Sequence, residues 1–269
     1  MLGSSPNLTI ITFASDHRWA VLAQRLINDI RLIYPTASTF IYRSHHLPKW
    51  IKAYANEYKR GYGYWIWKPY VIKKALHRMP PRSVLLYLDA RFLVVRKQRV
   101  EWLDTFLNSS TSDILAWQLS YRECEWTTAD LFSFFRSEPC SHSGQTGQFA
   151  GTMLLLRNNP KSLHFVDGWL SVLDNFRYLC RDDQSLALNH SDFIENRHDQ
   201  SVLSLMLKTS TPLVIIDVLP DQVIKSSPLC PQGQERPSLP KPLLSTLLKV
   251  CRTGLRRVLR LFRLYKLNR

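Results

Sequence analysis

VLLYLDAR, residues 84 to 91, is a short unbroken apolar run that ends in an acid, an alanine and an arginine. Val84 to Leu88 reads as a buried strand that delivers Asp89 at its carboxyl end, which is where open α/β sheets hold nucleotides and metals. An Asp-x-Asp ending would read as a divalent-metal clamp for a diphosphate, and here the third position is Arg91. Upstream stands GYGYWIWKPY, residues 61 to 70, an aromatic run that closes on Lys68 and Pro69.

The neighbouring segments set the fold class. LTIITF (8–13) and STFIY (38–42) read as strands, separated by a helical pattern from about Trp19 to Ile33 with Leu22, Leu26, Ile27, Ile30 and Ile33 at spacings of three and four. Pro69 suits the first turn of a helix running to about Met79, and Pro80-Pro81 stops it before the strand that ends at Asp89. This alternation predicts a mainly parallel sheet covered by helices. Further on, DILAWQL (113–119), GTMLLLR (151–157) and PLVIIDV (212–218) read as strands. Thr127 with Asp130 reads as a capping box, Asn159 opens a helix to about Tyr178, and Asp199 caps a helix from Gln200 to Lys208.

Composition narrows the class. With 45% hydrophobic and 21% charged residues the chain is globular, and 269 residues suffice for one large domain. Five scattered cysteines without a C-x-x-C pair argue against a disulfide framework or a zinc site and for a reducing compartment. MLGSSPNLTIITF is expected to enter the first strand directly rather than to form a secretory leader, and no apolar stretch is long enough to span a bilayer. A cytoplasmic location, peripheral on the cytosolic face of a membrane, is therefore expected. The net charge of +15 invites a nucleic-acid-binding reading. That reading weakens because nine basic residues and no acidic ones follow Pro240, leaving +6 on residues 1–239, and because the body holds no nucleic-acid motif.

Taken in order, GYGYWIWKPYVIKKAL (61–76), VLLYLDAR (84–91), QFAGTMLLLRN (148–158) and FIENRHDQSVLSLMLK (193–208) resemble a group of bacterial GT-A-fold glycosyltransferases of surface and capsular polysaccharide assembly. The resemblance covers roughly residues 8 to 220. It implies a nucleotide-binding α/β sandwich that moves a sugar from a nucleoside-diphosphate sugar to a hydroxyl on a saccharide or lipid-linked acceptor, with no nucleic-acid partner. An inactive sugar-binding relative is the alternative that Arg91 keeps open.

The chemistry of such a transfer assigns expected roles. A departing nucleoside diphosphate develops negative charge that a metal, Arg or Lys, or a helix N-terminus must meet. Asp89 would hold a divalent ion, manganese or magnesium, or a donor hydroxyl. Arg91 cannot ligate a metal and would supply positive charge directly, which puts dependence on the ion in question. Lys68, at a helix start behind Tyr64 and Trp67, is placed to meet the donor phosphates. His198, Asp199 and Gln200 bring an imidazole, a carboxylate and an amide together toward the sugar, with Asp199 the second catalytic candidate and helix capping its plainer role. Ala14, Ser15 and Asp16 follow the first strand, where base or ribose is commonly met, although Asp16 reads equally as a turn residue. By resemblance, Gln148, Ala150 and Gly151 line the acceptor side.

Domain organisation follows from the same reading: a GT-A-like domain over 1–225, a linker over 226–242 that holds five of the fifteen prolines, and a basic amphipathic helix over 243–269. In that helix Leu244, Leu247, Leu248, Cys251, Leu255, Val258, Leu259 and Phe262 share one face, and Lys249, Arg252, Arg256, Arg260 and Arg263 the opposite one. Each basic side chain near an anionic leaflet contributes about 1 kcal/mol. Removing residues 240–269 is therefore expected to abolish co-sedimentation with phosphatidylserine vesicles while the fold survives; vesicle binding that persists defeats the anchor.

Overall fold

The computed structural model describes residues 7–182, 185–209 and 214–231. The tail over 243–269 and most of the expected linker lie outside the described residues. In chain order the first half runs β1 (Leu8–Ala14), α1 (His17–Ile33), β2 (Ser38–Arg43), α2 (Lys49–Glu57), the single turn α3 (Gly61–Tyr64), α4 (Trp67–Leu76), β3 (Val84–Leu88) and β4 (Phe92–Val94). The second half runs α5 (Glu101–Asn108), β5 (Ile114–Arg122), α6 (Glu123–Trp126), α7 (Ala129–Phe134), α8 (His142–Gln145), β6 (Gly147–Arg157), α9 (Pro160–Asn175), α10 (Asp199–Thr209), β7 (Ile216–Pro220), α11 (Asp221–Ser226) and β8 (Leu229–Pro231).

Local chemistry accounts for most of these boundaries. Asp16 caps α1 by accepting the Trp19 N–H at 3.1 Å, and Ala23, Leu26, Ile27, Ile30 and Ile33 form its buried stripe. Asn159 caps α9 through the Ser162 N–H, with Pro160 as the first helical residue. The helix expected to open at a Thr127–Asp130 box is instead capped by Thr128, whose side chain accepts from Leu131 N–H. Thr127 is drawn inward to donate to Glu123, and Asp130 accepts from the Leu186 and Ala187 N–H groups. Asp199 lies inside α10 as its first residue rather than outside it as a cap.

The six-stranded sheet has the order β2-β1-β3-β6-β5-β7, and β6 alone runs against the others. Strand parity sorts side chains onto two faces. Ile11, Phe13, Leu85 and Tyr87 pack under α4, α9 and α10, while Ile10, Val84, Leu86 and Leu88 pack under α1 and α5. Asp89 follows Tyr87 by two residues, which aims it at the α4 and α10 side. The strand read from sequence at 212–218 lies at Ile216–Pro220, and 212–213 fall outside the described residues. Regular structure also continues past residue 225, because β8 pairs antiparallel with β4, Cys230 opposite Leu93. Prolines there mark an edge strand, where a missing N–H costs little. No helix among the described residues is long and apolar enough to cross a membrane.

Residues 61–65 form an unusual connection. Gly61, Tyr62, Gly63, Tyr64 and Trp65 all have positive φ, between +51° and +84°, so the turn winds left-handed. Left-handed backbone costs about 1–2 kcal/mol for each residue that carries a Cβ. Gly63 N–H to Tyr58 O and Tyr64 N–H to Arg60 O, both 2.8 Å, and Trp67 Nε1–H to Gly61 O, 3.0 Å, hold it in place. A Cβ on Gly61 would stand 2.2 Å from the Trp65 ring. Gly61→Ala is thus expected to lower the unfolding free energy measured by urea denaturation by ~2 kcal/mol or more. In the middle of α9, a Cβ on Gly168 would meet only Met206 Cε at 3.5 Å, so Gly168→Ala is expected to raise stability by about 0.5–1 kcal/mol.

Candidate functional site

Asp89 emerges from β3 at the centre of the sheet. Its N–H donates to Thr152 O of β6 at 2.8 Å, and its carboxylate accepts the Tyr87 hydroxyl. A tyrosine in a buried strand needs a polar partner for its hydroxyl, and parity makes Asp89 that partner. Burial raises the Asp89 pKa, opposed by Lys68, by the Tyr87 hydroxyl and by Arg91. Burial and the neighbouring Asp89 charge push the Tyr87 phenol well above its ordinary value.

The next layer comes from α4 and α10. Lys68, the second residue of α4, is 2% exposed, and its ammonium lies 2.7 Å from Asp199 Oδ2; Asp199 is also 2% exposed. Burial pushes the Asp199 carboxyl up to about 7; Lys68 pulls it down and Asp89 pushes it up. Gly151 makes the convergence sterically feasible: a Cβ there would sit 3.2 Å from Lys68 Nζ and 3.4 Å from Asp199 Oδ2. The β5–β6 register shifts between Ala116/Leu154 and Gln118/Phe149, so Gly151 lies in the irregular part of β6, a common device for re-aiming a strand beside a site.

Gln200 joins this cluster by accepting the Gly151 N–H at 2.9 Å and donating to Gln148 Oε1 at 2.6 Å. Behind it, Gln148 donates to Glu123, which also accepts Lys208 at 2.9 Å and the Ser204 hydroxyl. Gln148 and Ala150 are each only 1% exposed, and Ala150 belongs to the α1 and α5 side of the sheet. Neither lines an open acceptor surface as expected: Gln148 braces α10 on β6, and Ala150 is core.

His198 has φ +58° and stacks on Tyr64 and Trp65, with ring centres 4.7 and 5.5 Å away. Its Nδ1 lies 2.7 Å from Cys180 O, a group that only accepts, so Nδ1 carries the proton. Nε2 stands 3.6 Å from Asp182 Oδ1, and the same carboxylate receives the Tyr64 hydroxyl at 3.2 Å and Arg60 at 2.9 Å. Burial lowers the His198 pKa.

The expected donor residues therefore divide. Lys68, Asp89, Asp199, Gln200 and Gly151 come together, with His198 and Tyr64 beside them. Lys68 is turned inward to Asp199 instead of toward an open phosphate position. Trp67 stacks on Phe13 at 3.9 Å and Tyr64 is buried, leaving Tyr62 and Trp65 as the half-exposed rings of the turn. Ala14 packs with Ala23 and Ala90, where small side chains let β1, α1 and the end of β3 approach closely. Asp16 has both oxygens engaged, by Trp19 N–H and the Ser15 hydroxyl. Arg91 is exposed, its guanidinium 5.1 Å from the Trp19 ring. Sequence reading missed Tyr87 and Glu123; a tyrosine two residues before Asp89 on one strand was the available signal for the first.

These residues do not fit a preformed divalent-cation site. Among the described residues no three of His, Cys, Asp and Glu come together for one. Asp199 is already neutralised by an ammonium and Asp89 already accepts a phenol, whereas a hard cation requires several free oxygens.

No protein-family model and no curated protein matches the sequence. Among solved structures, a glycosyltransferase involved in glycosylation of the major capsid of PBCV-1 is 13% identical with a TM-score of 0.50, covering 85% of this chain and 94% of that one. Mouse xyloside xylosyltransferase 1 is 12% identical with a TM-score of 0.43, covering 80% of this chain and 84% of its own. The galactosyltransferase LgtC, in complex with donor and acceptor sugar analogs, is 13% identical with a TM-score of 0.42, covering 78% and 72%. The likeness to the first is one of fold, and the architecture is the GT-A-like α/β sandwich expected from the sequence.

The buried pair has a measurable signature. A carboxyl at about 7 in the folded state and 3.8 in the unfolded one contributes stability that is full below about 4 and lost as pH rises through 7. Lys68→Met removes the attraction that opposes this shift, and breaking a buried pair costs about 3–5 kcal/mol. Urea denaturation is expected to show that full loss at pH 8 and a smaller one at pH 5, where Asp199 takes up a proton; a pH-independent loss contradicts the pairing.

Proposed function

We propose that this protein is a glycosyltransferase that moves a sugar from a nucleoside-diphosphate sugar to a hydroxyl acceptor, a saccharide or a lipid-linked one, in bacterial surface polysaccharide assembly. The observation that carries the reading is the convergence of Asp89, Lys68, Asp199 and Gln200 at the carboxyl end of the central strand of a GT-A-like sheet. Ligands of open α/β sheets bind at that end.

In this reading Asp89 receives donor hydroxyls, because the residue is only partly buried. Arg91, on the exposed rim above Trp19, meets the negative charge that builds on the departing diphosphate. The half-exposed Tyr62 and Trp65 present ring faces to a sugar or base. Asp199 acts on the ligand through Lys68 and Gln200 as a positioning residue, since it is closed from solvent. The basic, leucine-faced tail would keep the enzyme on the cytosolic face of a membrane, where a lipid-linked acceptor resides.

A thermal-shift screen of UDP-, GDP-, CMP- and dTDP-sugars identifies the donor, since a ligand at 100 times its Kd stabilises the fold by about 2.7 kcal/mol. With that donor, Asp89→Asn is expected to cut transfer or donor hydrolysis by ~100-fold or more while Tm stays near the parent value. Undiminished turnover refutes the assignment, and donor binding by the parent without any turnover identifies an inactive sugar-binding relative.

A further inference from the structure

A site that clamps a diphosphate with a divalent ion needs surplus negative charge to hold the ion, and this cluster has none. Asp89 and Asp199 carry at most two negative charges, and Lys68 and Arg91 carry two positive ones. The charge is balanced before any ion arrives. Lys68 is also fixed: its ammonium is 2.7 Å from Asp199, its side chain is almost fully buried, and Tyr87 and Trp67 present their rings 5.7 and 6.0 Å away. The missing side chain at Gly151 opens the space it fills, because a Cβ at that position would stand 3.2 Å from Nζ. Both carboxylates feel this one ammonium. A dication arriving at Asp89 would join two positive groups, find one carboxylate already ion-paired, and share the other with the Tyr87 hydroxyl.

We propose that this protein binds its nucleoside diphosphate without a divalent cation, with Lys68 as the resident cation of the carboxylate cluster and Arg91 as the exposed charge that engages the phosphates. The inference rests on the glycosyltransferase reading and deepens it. Lys68 keeps Asp199 and Asp89 from repelling an anionic ligand. Arg91 is the exposed member of the set, and a guanidinium over an aromatic ring presents its planar fork to phosphate oxygens. The residue that breaks the Asp-x-Asp pattern then supplies the charge that the second acid would otherwise recruit through a metal.

Isothermal titration of the full chain with UDP, GDP, CDP and dTDP, first in EDTA and then with excess manganese, tests this. The preferred nucleotide is expected to bind with the same Kd in both buffers. Arg91→Ala is expected to weaken it by roughly 10- to 100-fold, the range for losing hydrogen bonds to a charged group. Arg91→Asp, which restores the second acid, is expected to bind weakly in EDTA and to recover affinity when manganese is added. Because Arg91 is exposed, these variants keep the fold even if a Lys68 variant does not. Binding by the parent in manganese alone overturns the inference while leaving the glycosyltransferase reading intact. An Arg91→Ala protein with parental affinity overturns the role of Arg91. Absence of binding by any nucleotide in either buffer removes the reading itself.

Discussion

The buried ion pair between Lys68 and Asp199 is the constraint around which the functional end of this molecule is arranged. Two opposite charges withdrawn from water are tolerated only when they meet at close range and their remaining valences are satisfied. That requirement ties the start of α4 to the start of α10 across the carboxyl end of the sheet. Gly151 in β6 suits it, since a Cβ there would press to 3.2 Å from the ammonium. Beside the pair, Gln200, Gln148 and Glu123 form a second chain of amides and acids that braces α10 on β6 and ends on Lys208.

The left-handed turn is the second consequence. To bring Lys68 inward with Trp67 stacked on Phe13, the chain from Gly61 to Trp65 adopts a backbone that bulky residues disfavour. Such strain persists where surrounding contacts over-determine it, and functional sites are where it collects. Here the contacts are the rings of Tyr64 and Trp65 on His198, itself left-handed, and the Tyr64 hydroxyl on Asp182. The turn and the segment before α10 therefore hold one another beside the carboxylates.

Much of this was legible in the linear chain where the signal is local. The α1 stripe, the Asn159 cap and the strand that delivers Asp89 follow from periodicity and from one side chain satisfying nearby N–H groups. Asp16 shows the same local logic: it caps α1, because a carboxylate three residues before an open N–H is captured by it. The antiparallel course of β6 was not legible, since a run buried on both faces reads the same in either direction. Thr127 missed its cap because Glu123 competes for its hydroxyl. Regular alternation would set Gln148 and Ala150 on one face of β6; the register irregularity there turns them to opposite faces, which residue order does not announce.

By itself the sequence determined which groups carry charge and the order in which strands and helices present them: an α/β sandwich, Asp89 at a strand end, Lys68 at a helix start, Asp199 at another, and Arg91 where a second acid might stand. Only the tertiary structure decided which charges neutralise which. Lys68 and Asp199 are 131 residues apart and meet at 2.7 Å because β6 and α10 fold back over the end of β3. Electrostatic pairing depends on separation in space and on the exclusion of water, and neither is written in residue order.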